Sequence, residues 1–404
     1  MSWSQLPPVG TPISIKSQRS AQWLKFQDFN HVLVESGTAA LALLLKVIRT
    51  NLAAEKTAAR NLNVVIPGYA CPDLVAACLY ANATPVIIDF DASSYQYDLS
   101  QLANLQEEVD VILCPSLFGI SMPLLPLRHC VPDALIIEDD AQWFPEPENA
   151  EDRSRNLVAL VDSASAEYVL PEQTRQADFF ITSFGRGKPV NLLGGGLAAW
   201  HHRYASWFDN IDTLAQSNDN NDNAYRIKAR LFNGLCQPLC YGALIRIPGL
   251  TLGQTVYHPL DSITKMAGFK TVLVPPSVHA YLSGSMNAQQ QLVNATTPAW
   301  PEQTVNKRLL RLPVLAANRA ARDELLKKLN AAGLGASPMY ATPLHDIDGI
   351  AALAECPFGT PVSGVIADCL LTLPVHPGVK PRHVRKMIQI LDSLRHNIVA
   401  YPQV

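Results

Sequence analysis

Short apolar segments alternate with segments of helical pattern between residues 31 and 200. The apolar segments are non-polar almost throughout, which is typical of strands that are buried on both faces. They predict strands at 63–66, 85–89, 111–114, 134–138, 179–183 and 196–200. Helices are predicted between several of these strands, for example at 38–49 and 73–81. The alternation predicts an α/β fold with a mostly parallel central sheet covered by helices.

The pattern changes after a predicted helix at 225–245. From residue 311 onward it predicts a strand, a helix at 318–332, a second strand, a loop rich in Pro and Gly, and a last helix at 381–396. We therefore predict three parts. These are an N-terminal arm (1–30), a large domain (31–245), and a small C-terminal α+β domain with its connecting segment (246–404).

Two segments interrupt the alternation. Residues 145–176 are acidic and polar, and they predict a long insertion or loop. Residues 216–223 (QSNDNNDN) form a tract of Asn and Asp, which predicts a mobile segment without regular structure.

Composition and charge limit the classes of function. The 404-residue chain has a net charge of −3, with acidic and basic residues mixed along it, so it predicts no basic footprint for nucleic acid or for an anionic membrane. The first residues lack the apolar stretch of a secretory signal, and no segment approaches the roughly 18 apolar residues that a transmembrane helix needs. We expect a cytoplasmic protein with no membrane or nucleic-acid partner.

The eight cysteines are scattered, and no CxxC motif brings two of them together. This distribution favours buried core positions in a reducing compartment over metal or redox chemistry, and no metal site is predicted. Cys236 and Cys240 are four residues apart and are predicted to lie on one buried helix face.

Lys188 lies in a short glycine-rich turn between two predicted strands, five residues after Ser183. Most lysines are solvated surface charges, and that interpretation remains open. A lysine confined in such a turn can instead have the pKa of its amine lowered by burial, and can then attack an aldehyde as a nucleophile.

Asp139 directly follows the predicted strand at 134–138. Ligands on parallel sheets gather at the carboxyl ends of the strands, although an acidic residue there is often a solvated turn residue. A carboxylate at this edge can also keep the ring nitrogen of a pyridine cofactor protonated. Gln142, three residues later, can donate a hydrogen bond to a hydroxyl oxygen of the same ring.

Ser36, Gly37 and Thr38 precede a helix rich in Ala and Leu. Small residues at a helix start leave backbone N–H groups and the helix dipole free to hold a phosphate. A plain N-cap explains the same residues. The three glycines at 194–196 do not follow the spacing of a dinucleotide site.

In their order along the chain, from the helix start at 36–38 through Asp139 to Lys188, the motifs resemble those of the DegT/StrS-type sugar aminotransferases. This is a family of fold-type-I pyridoxal-phosphate (PLP) enzymes. SGTAAL at 36–41 resembles SGT-x-AL of the family, EDDAQ at 138–142 resembles ED-x-x-Q, and DFFITSFGRGK at 178–188 resembles D-x-x-x-x-SF-x-x-x-K. Further similar segments are the strand–helix–strand stretch at 66–91, LFG at 117–119, PMYATPLHD at 338–346 and LTLPVHPGV at 371–379. The resemblance covers roughly residues 31–200 and 309–392.

The resemblance implies an aspartate-aminotransferase-like fold with PLP held by Lys188 as a Schiff base. It places Asp139 on the pyridine nitrogen and Gln142 beside the 3-hydroxyl group. Gly37, Thr38 and Ser183 are implied to bind the phosphate. Lys188 and Asp139 are the predicted catalytic residues.

Three departures from the family pattern concern the same site. The segment at 145–176 is longer than the family usually has. The aromatic side chain that stacks on the PLP ring in the family falls near Cys71, and Tyr69 is the nearest aromatic candidate for that contact. The family's G-x-N-x-R loop, whose Asn reaches the phosphate of the neighbouring subunit, has only a poor match at 223–226.

Three other residues lie in or beside the motifs. Structural hydrogen bonding is favoured for His345 and His376, because a lone histidine more often has that role than a catalytic one. Packing is favoured for Trp143.

The resemblance further implies transfer of an amino group from glutamate to a nucleotide-linked keto-sugar, in the synthesis of a polysaccharide or a glycosylated metabolite. Family members are homodimers, so a homodimer is expected. Another PLP reaction on a non-sugar substrate remains open, as does a non-catalytic protein of the same fold. A lysine at 188 argues against the related sugar dehydratases, which have histidine there.

Overall fold

A computed structural model describes residues 3–15, 24–26, 28–55, 61–144, 168–170, 177–217, 221–249, 253, 255–305 and 307–403. The predicted insertion at 145–176 therefore lies outside the described residues, apart from one short strand. That strand, β7 (Tyr168–Leu170), pairs in parallel with β1 (Leu24–Phe26).

A seven-stranded sheet forms the centre of the described structure. Its strands are β2 (Phe29–Val34), β3 (Leu62–Pro67), β4 (Ala83–Ile88), β5 (Val111–Pro115), β6 (Leu135–Asp140), β8 (Phe179–Ser183) and β9 (Gly196–His201). They lie in the order β2-β9-β8-β6-β5-β3-β4, and β9 is the strand of this sheet that runs antiparallel to its neighbours. The predicted α/β fold with a mostly parallel sheet is confirmed.

Both faces of this sheet are buried, because side chains of a strand point alternately to its two faces. Val64 and Ile66 of β3 belong to the core that contains the helices after β2 and β3, whereas Val65 packs into a second core with the C-terminal part of the chain. The helices of this part are α1 (Gly37–Glu55), α2 (Asp73–Tyr80), α3 (Leu99–Ala103) and α4 (Leu124–Cys130). A core on each face explains why the strands are apolar throughout.

A helical segment follows the main sheet. Its helices are α5 (Asp222–Leu235), α6 (Pro238–Leu244), α7 (Gly268–Thr271), α8 (Val274–Leu282), α9 (Asn287–Ala295) and α10 (Pro301–Thr304). The sequence pattern did not predict α7 to α10, because Pro and Gly interrupt the periodicity at 268–304. Proline is nevertheless tolerated in the first turn of a helix, where α8 and α10 have it.

The C-terminal part forms a second, antiparallel sheet. Its elements are β10 (Arg311–Ala316), α11 (Arg319–Ala331), α12 (Pro361–Cys369), β11 (Leu370–Pro374), α13 (Pro381–Ser393) and β12 (Ile398–Val399), with the strands in the order β11-β10-β12. The predicted elements are present, and α12 and β12 are additions to them. The two sheets lie on either side of the predicted domain boundary at 245/246, which stays a prediction. Among the helices of the described residues, none is long and apolar enough to cross a membrane.

One expectation about residues 216–245 is wrong, and another holds only in part. Helix α5 begins inside the Asn/Asp tract, where the Oδ1 atom of Asn221 accepts a hydrogen bond from the Ala224 N–H (2.9 Å) and caps the helix. Residues 218–220 of the tract lie outside the described residues. Cys236 is half-buried and Cys240 is exposed. They do not share a buried helix face, because one helix ends at Leu235 and another begins at Pro238.

Candidate active site

A cavity lies at the carboxyl ends of β5, β6 and β8, beside the start of α1. It contains all but one of the residues predicted for the site. The lining residues are Gly37, Thr38, Leu41, Cys71, Asp73, Leu74, Pro115, Ser116, Leu117, Asp139, Ala141, Gln142, Ile181, Ser183 and Lys188. The parallel strands end at one edge of the sheet, and this brings together side chains that are far apart in the chain.

The N-terminus of α1 forms one wall of the cavity. Ser36 caps the helix, since its Oγ accepts a hydrogen bond from the Ala39 N–H (3.0 Å). The first N–H groups of a helix have no partner within it, so those of Gly37 and Thr38 can face an anion. Ser183 lies so close that a Cβ atom on Gly37 would be 2.7 Å from the Ser183 Cβ. The helix start and the Ser183 hydroxyl together form a polar cradle that suits a phosphate.

The three glycines at 194–196 allow β9 to approach the loop before α1. The Gly195 N–H donates to the Glu35 carbonyl (2.7 Å), and a Cβ atom on Gly196 would lie only 2.3 Å from the Ser36 carbonyl oxygen. Gly195 also has a φ of +115°, which side chains rarely allow. The triplet therefore positions the start of α1 and does not line this cavity.

Gly37→Ala is expected to weaken PLP binding roughly tenfold. The added methyl group must displace the Ser183 side chain, and losing one hydrogen bond to a charged group costs about 1.5 kcal/mol. Gly364→Ala is the matched control, because a Cβ atom on Gly364 in α12 meets open space. Titration of each purified variant with PLP measures the affinity. Equal affinities in the two variants would contradict a phosphate at the start of α1.

Asp139 presents a buried carboxyl group to the cavity. Its Oδ1 accepts a hydrogen bond from the Ala141 N–H (2.9 Å). Burial raises the pKa of Asp139 to about 6, while the nearby Lys188 and the Ala141 N–H act in the opposite direction. A poorly solvated carboxylate is a strong partner for a positively charged N–H group. This is the chemistry that a pyridinium nitrogen requires.

Gln142 is held in a fixed orientation by two partners. Its Oε1 accepts a hydrogen bond from the Phe118 N–H (2.9 Å), and its Nε2 donates to the Tyr340 hydroxyl (3.3 Å). Phe118 lies in the turn Leu117–Gly119, with a φ of 62°. Because an amide nitrogen has two N–H groups, the second N–H of Gln142 remains to donate to a ligand. The sequence showed both the LFG and the PMYATPLHD segments but did not reveal that they orient Gln142.

Lys188 lies at the border between this cavity and a wider one. Its N–H donates to the Gly185 carbonyl (3.3 Å), and Gly187 before it has a φ of 72°, so the chain turns sharply here. Lys188 and Gln142 line both cavities. The wider cavity has a volume of about 690 Å³ and is formed mainly by residues 186–188, 337–342 and 346–348. The Lys188 side chain is therefore accessible to a molecule that enters from the wider cavity.

The structure corrects the expectation for Tyr69. Its hydroxyl donates to the Tyr340 carbonyl (3.2 Å) and accepts from the Tyr340 N–H (3.1 Å), which holds the ring against the C-terminal part of the chain. Tyr69 is buried and does not line the cavity, whereas Cys71 does. Burial raises the pKa of the Cys71 thiol to about 12, so the cavity wall has a neutral thiol at this place.

The poor match to the G-x-N-x-R loop, at 223–226, does not line either cavity. It forms the first turn of α5, where Arg226 pairs with Asp222 (2.9 Å) and donates to the Ile15 carbonyl (3.2 Å). These contacts anchor a helix, and they provide no phosphate ligand within this chain.

The two histidines and the tryptophan of the motifs lie outside the first cavity. His376 is buried between the Pro7 carbonyl (3.0 Å from Nε2) and the Gly378 N–H, which donates to Nδ1 (3.1 Å). Burial lowers the pKa of His376 to about 4, so a structural role for the neutral ring fits its surroundings. His345 is at the surface, with its Nδ1 3.6 Å from Asp346. Trp143 is buried and does not line the cavity.

The residues present fit PLP group by group. The helix start with Ser183 suits the phosphate, the Asp139 carboxyl suits the ring nitrogen, and the Gln142 amide suits the ring hydroxyl. The Lys188 amine suits the aldehyde.

Comparison with known proteins supports this interpretation. Residues 276–392 match the sequence model of the DegT/DnrJ/EryC1/StrS aminotransferase family, and this range includes the segments PMYATPLHD and LTLPVHPGV. A proposed sugar aminotransferase from Streptococcus pneumoniae, in its PLP form, has a similar structure with a TM-score of 0.65. The two chains are 17% identical, and the alignment covers 97% of this chain and 99% of the other. This chain has the fold of a PLP-dependent aminotransferase.

Two further aminotransferase-fold structures show the range of this fold. A DegT/DnrJ/EryC1/StrS aminotransferase from Brucella abortus is 19% identical, with a TM-score of 0.57 and coverage of 91% of this chain and 86% of the other. GDP-4-keto-6-deoxy-D-mannose-3-dehydratase from E. coli, with bound hydrated PLP, is 10% identical, with a TM-score of 0.60 and coverage of 89% and 87%. A search of curated protein sequences finds no match. The predicted resemblance to the family is confirmed, and PLP or its amino form in similar structures is consistent with PLP as the cofactor.

Proposed function

We propose that this PLP-dependent aminotransferase transfers an amino group from glutamate to a nucleotide-linked keto-sugar. The observation that carries the proposal is one cavity in which the Lys188 amine, the Asp139 carboxyl and the phosphate cradle of α1 meet, beside a wider cavity with room for a substrate.

The size and the charge of the wider cavity suit an anionic substrate. Its volume of about 690 Å³ is in the range of small-molecule sites. Arg186 and Arg311 line it. The Nη1 atom of Arg311 donates to the Ser337 hydroxyl (3.0 Å), and its buried Nε has no hydrogen-bond partner among the described residues. Guanidinium groups bind carboxylates and phosphates, and these are the charged groups of glutamate and of a nucleotide-linked sugar.

Each residue has a distinct role in this proposal. PLP supplies an aldehyde that takes up the amino group and a ring that accepts electron density. The start of α1 and Ser183 hold the phosphate and so fix the ring in the cavity. With PLP bound, Asp139 would keep the proton on the ring nitrogen, and Gln142 would orient the ring hydroxyl. With PLP bound, the Nζ atom of Lys188 would be the group that takes the proton from the α-carbon of the donor and returns it on the side of the cofactor.

Two alternatives differ in what they predict. Another PLP reaction on the same fold, such as that of a racemase or a lyase, would use the same cofactor contacts with a different substrate. A lysine at 188 argues against a dehydratase, and the complete set of Lys188, Asp139, Gln142 and Ser183 argues against a non-catalytic protein.

Incubation of the PLP-loaded protein with glutamate separates the alternatives. We expect loss of the visible absorption of PLP and release of 2-oxoglutarate. Bound PLP that glutamate leaves unchanged would contradict the choice of donor.

Arg311→Gln is expected to raise the KM for glutamate by about tenfold or more, with a smaller effect on kcat. The substitution removes a positive charge from the wider cavity, and a hydrogen bond between charged groups contributes about 1.5 to 3 kcal/mol. Arg395→Gln is a matched control, because Arg395 is exposed and pairs with Asp392 at the surface. The same KM for glutamate in both variants would show that Arg311 does not bind the donor.

The assembly and setting are also proposals. The resemblance to the family supports a homodimer, which light scattering at the mass of two chains would test. The eight free cysteines fit a reducing compartment such as the cytoplasm. Synthesis of a polysaccharide or a glycosylated metabolite remains the setting that suits an aminated nucleotide sugar.

A further inference from the structure

A third cavity lies beside the segment that follows Lys188. It has a volume of about 160 Å³. Its lining comes from five parts of the chain: the arm at 11–14, the segment at 189–191, helix α8 with the residues after it at 277–289, and the segments at 308–310 and 375–377. Among the described residues, Leu310 is shared with the wider cavity and none is shared with the first cavity. The third cavity is therefore separate from the active site, although it borders the segment that carries Lys188.

The charge in the wall of the third cavity is positive. Arg308 lines the cavity and is buried, and its guanidinium donates to the Gly284 carbonyl (2.9 Å) and to the Leu282 carbonyl (3.1 Å). These contacts fix the position of the guanidinium. No Asp or Glu is among the described residues that line the cavity. His376 lines it as well, and burial lowers the pKa of His376 to about 4, so this ring is neutral at pH 7. The wall therefore favours an anion.

Ser277 provides a second, independent indication of a ligand. It lies in α8, it is only 8% exposed, and it lines the third cavity. Its buried hydroxyl has no hydrogen-bond partner among the described residues. A buried hydroxyl without a partner destabilises a fold, and an acceptor atom on a ligand would supply the missing contact. The hydroxyl therefore suits a ligand that brings an oxygen into the cavity.

The remaining wall is mainly apolar and limits the size of a ligand. Val190, Leu309 and Val375 contribute to it. An apolar cavity of about 150 Å³ takes up a molecule of the size of benzene, so the third cavity has room for about six non-hydrogen atoms. Ala280 lines the cavity and is exposed, so a ligand can enter beside α8. The cavity thus combines a positive charge, one free hydroxyl and an apolar interior of limited volume.

We propose that the third cavity binds a small organic carboxylate of about six non-hydrogen atoms. The charge of Arg308 would attract the carboxylate, and the Ser277 hydroxyl would donate to one of the ligand's oxygen atoms. The apolar body would pack against Val190 and Leu309. Because residues 189–191 directly follow Lys188, a bound carboxylate would also hold this segment in place. The proposal does not depend on which substrate the active site uses.

Titration of the full-length, PLP-loaded protein, followed by NMR of the ligand, tests the proposal. Butyrate is the probe, because it has a carboxylate on a short apolar chain and the size that the cavity allows. Butyramide has the same shape without the charge. We expect butyrate to bind with a Kd on the order of 1 mM, which is typical of so small a ligand, and butyramide to bind about tenfold more weakly.

Four variants locate the binding site. Ala280→Leu fills the cavity and is expected to weaken butyrate binding about tenfold or more. Ser277→Ala should weaken it about fivefold through the lost hydrogen bond, without lowering the midpoint of thermal unfolding, because the removed hydroxyl has no partner. Ser283→Ala is the matched control at the end of the same helix, since the Ser283 hydroxyl donates to the His279 carbonyl (2.8 Å) and does not line the cavity. Arg311→Gln removes charge from the wider cavity and should bind butyrate like the wild type.

Four results would overturn the proposal. One is a wild-type protein that does not bind butyrate at about 20 mM. Another is equal affinity for butyrate and butyramide, which would exclude a charged site. The third is loss of binding in Arg311→Gln with normal binding in Ala280→Leu, which would place butyrate in the wider cavity. The last is wild-type affinity in both Ala280→Leu and Ser277→Ala. Thermal unfolding of each variant shows whether it is folded.

Discussion

Lys188→Ala is expected to lower the aminotransferase rate on the order of 10⁴-fold and to abolish the yellow colour of the PLP-loaded protein. Lys188 lies where the first cavity meets the wider cavity, beside Gln142 and near Asp139. It is the side chain of the cavity that can both hold the aldehyde and move a proton, and general acid–base catalysis alone contributes about 10²–10⁴-fold.

The measurement is the steady-state rate together with the visible absorption spectrum of each variant. Lys328→Ala is the control, because Lys328 is exposed and pairs with Glu324 on α11. It should retain both the colour and the rate. A small primary amine added to Lys188→Ala is expected to restore part of the rate, because it can replace the missing base. An active, yellow Lys188→Ala protein would contradict the role of Lys188.

Asp139→Asn is expected to lower the rate by about 10²–10³-fold and to stabilise the PLP-free protein at pH 7.5. The loss of rate is the usual size for removing one electrostatic contact of a reacting group. The gain in stability follows from the pKa of Asp139, which burial raises from 3.8 to about 6. Asparagine keeps an oxygen that can accept the Ala141 N–H but has no charge to bury.

The size of the stability effect depends on pH. Between pH 3.8 and about 6, the folded protein binds more protons at Asp139 than the unfolded chain does, so its stability falls as the pH rises through this range. Above pH 6 the full cost of burying the Asp139 charge is present. Asp139→Asn should then be more stable than the wild type by about 2 to 3 kcal/mol. Urea unfolding of both PLP-free proteins at pH 5 and pH 7.5 measures the difference. A variant that is less stable at pH 7.5, or a difference that does not shrink at pH 5, would contradict a buried Asp139 carboxylate.

The sheet and most of the residues that line the first cavity were predictable because their signals are local. Continuous apolar strands can be recognised in a short window of the sequence. Asp139 and Ser183 lie at the ends of β6 and β8, and Lys188 follows five residues after Ser183. The order of these motifs then indicated the family. The cradle at Gly37 also follows from local sequence, since a helix start needs small residues wherever the chain approaches a ligand.

Contacts between distant parts of the chain were not predictable in the same way. Gln142 is oriented by Tyr340, 198 residues later in the chain. Hydrogen bonds to the backbone of the same Tyr340 hold the Tyr69 side chain outside the cavity. Tyr69 was predicted to lie near the PLP ring because it is the aromatic residue nearest to Cys71 in the sequence. Likewise, the spacing of four residues between Ile227, Leu231 and Leu235 is typical of the core-facing side of a helix. Only the structure shows that Tyr225 and Ala229 face the core instead, while Ile227, Leu231 and Leu235 are exposed.

Reduction of the PLP-loaded protein with sodium borohydride tests the central claim most directly, because it fixes PLP permanently to the lysine that holds it. Protease digestion and mass spectrometry then identify the labelled peptide. We predict that the label is on Lys188, in the segment between Ser183 and Gly194, and that it is absent from Lys188→Ala. A label on another lysine, or no label on a protein that has been incubated with PLP, would contradict the site described above.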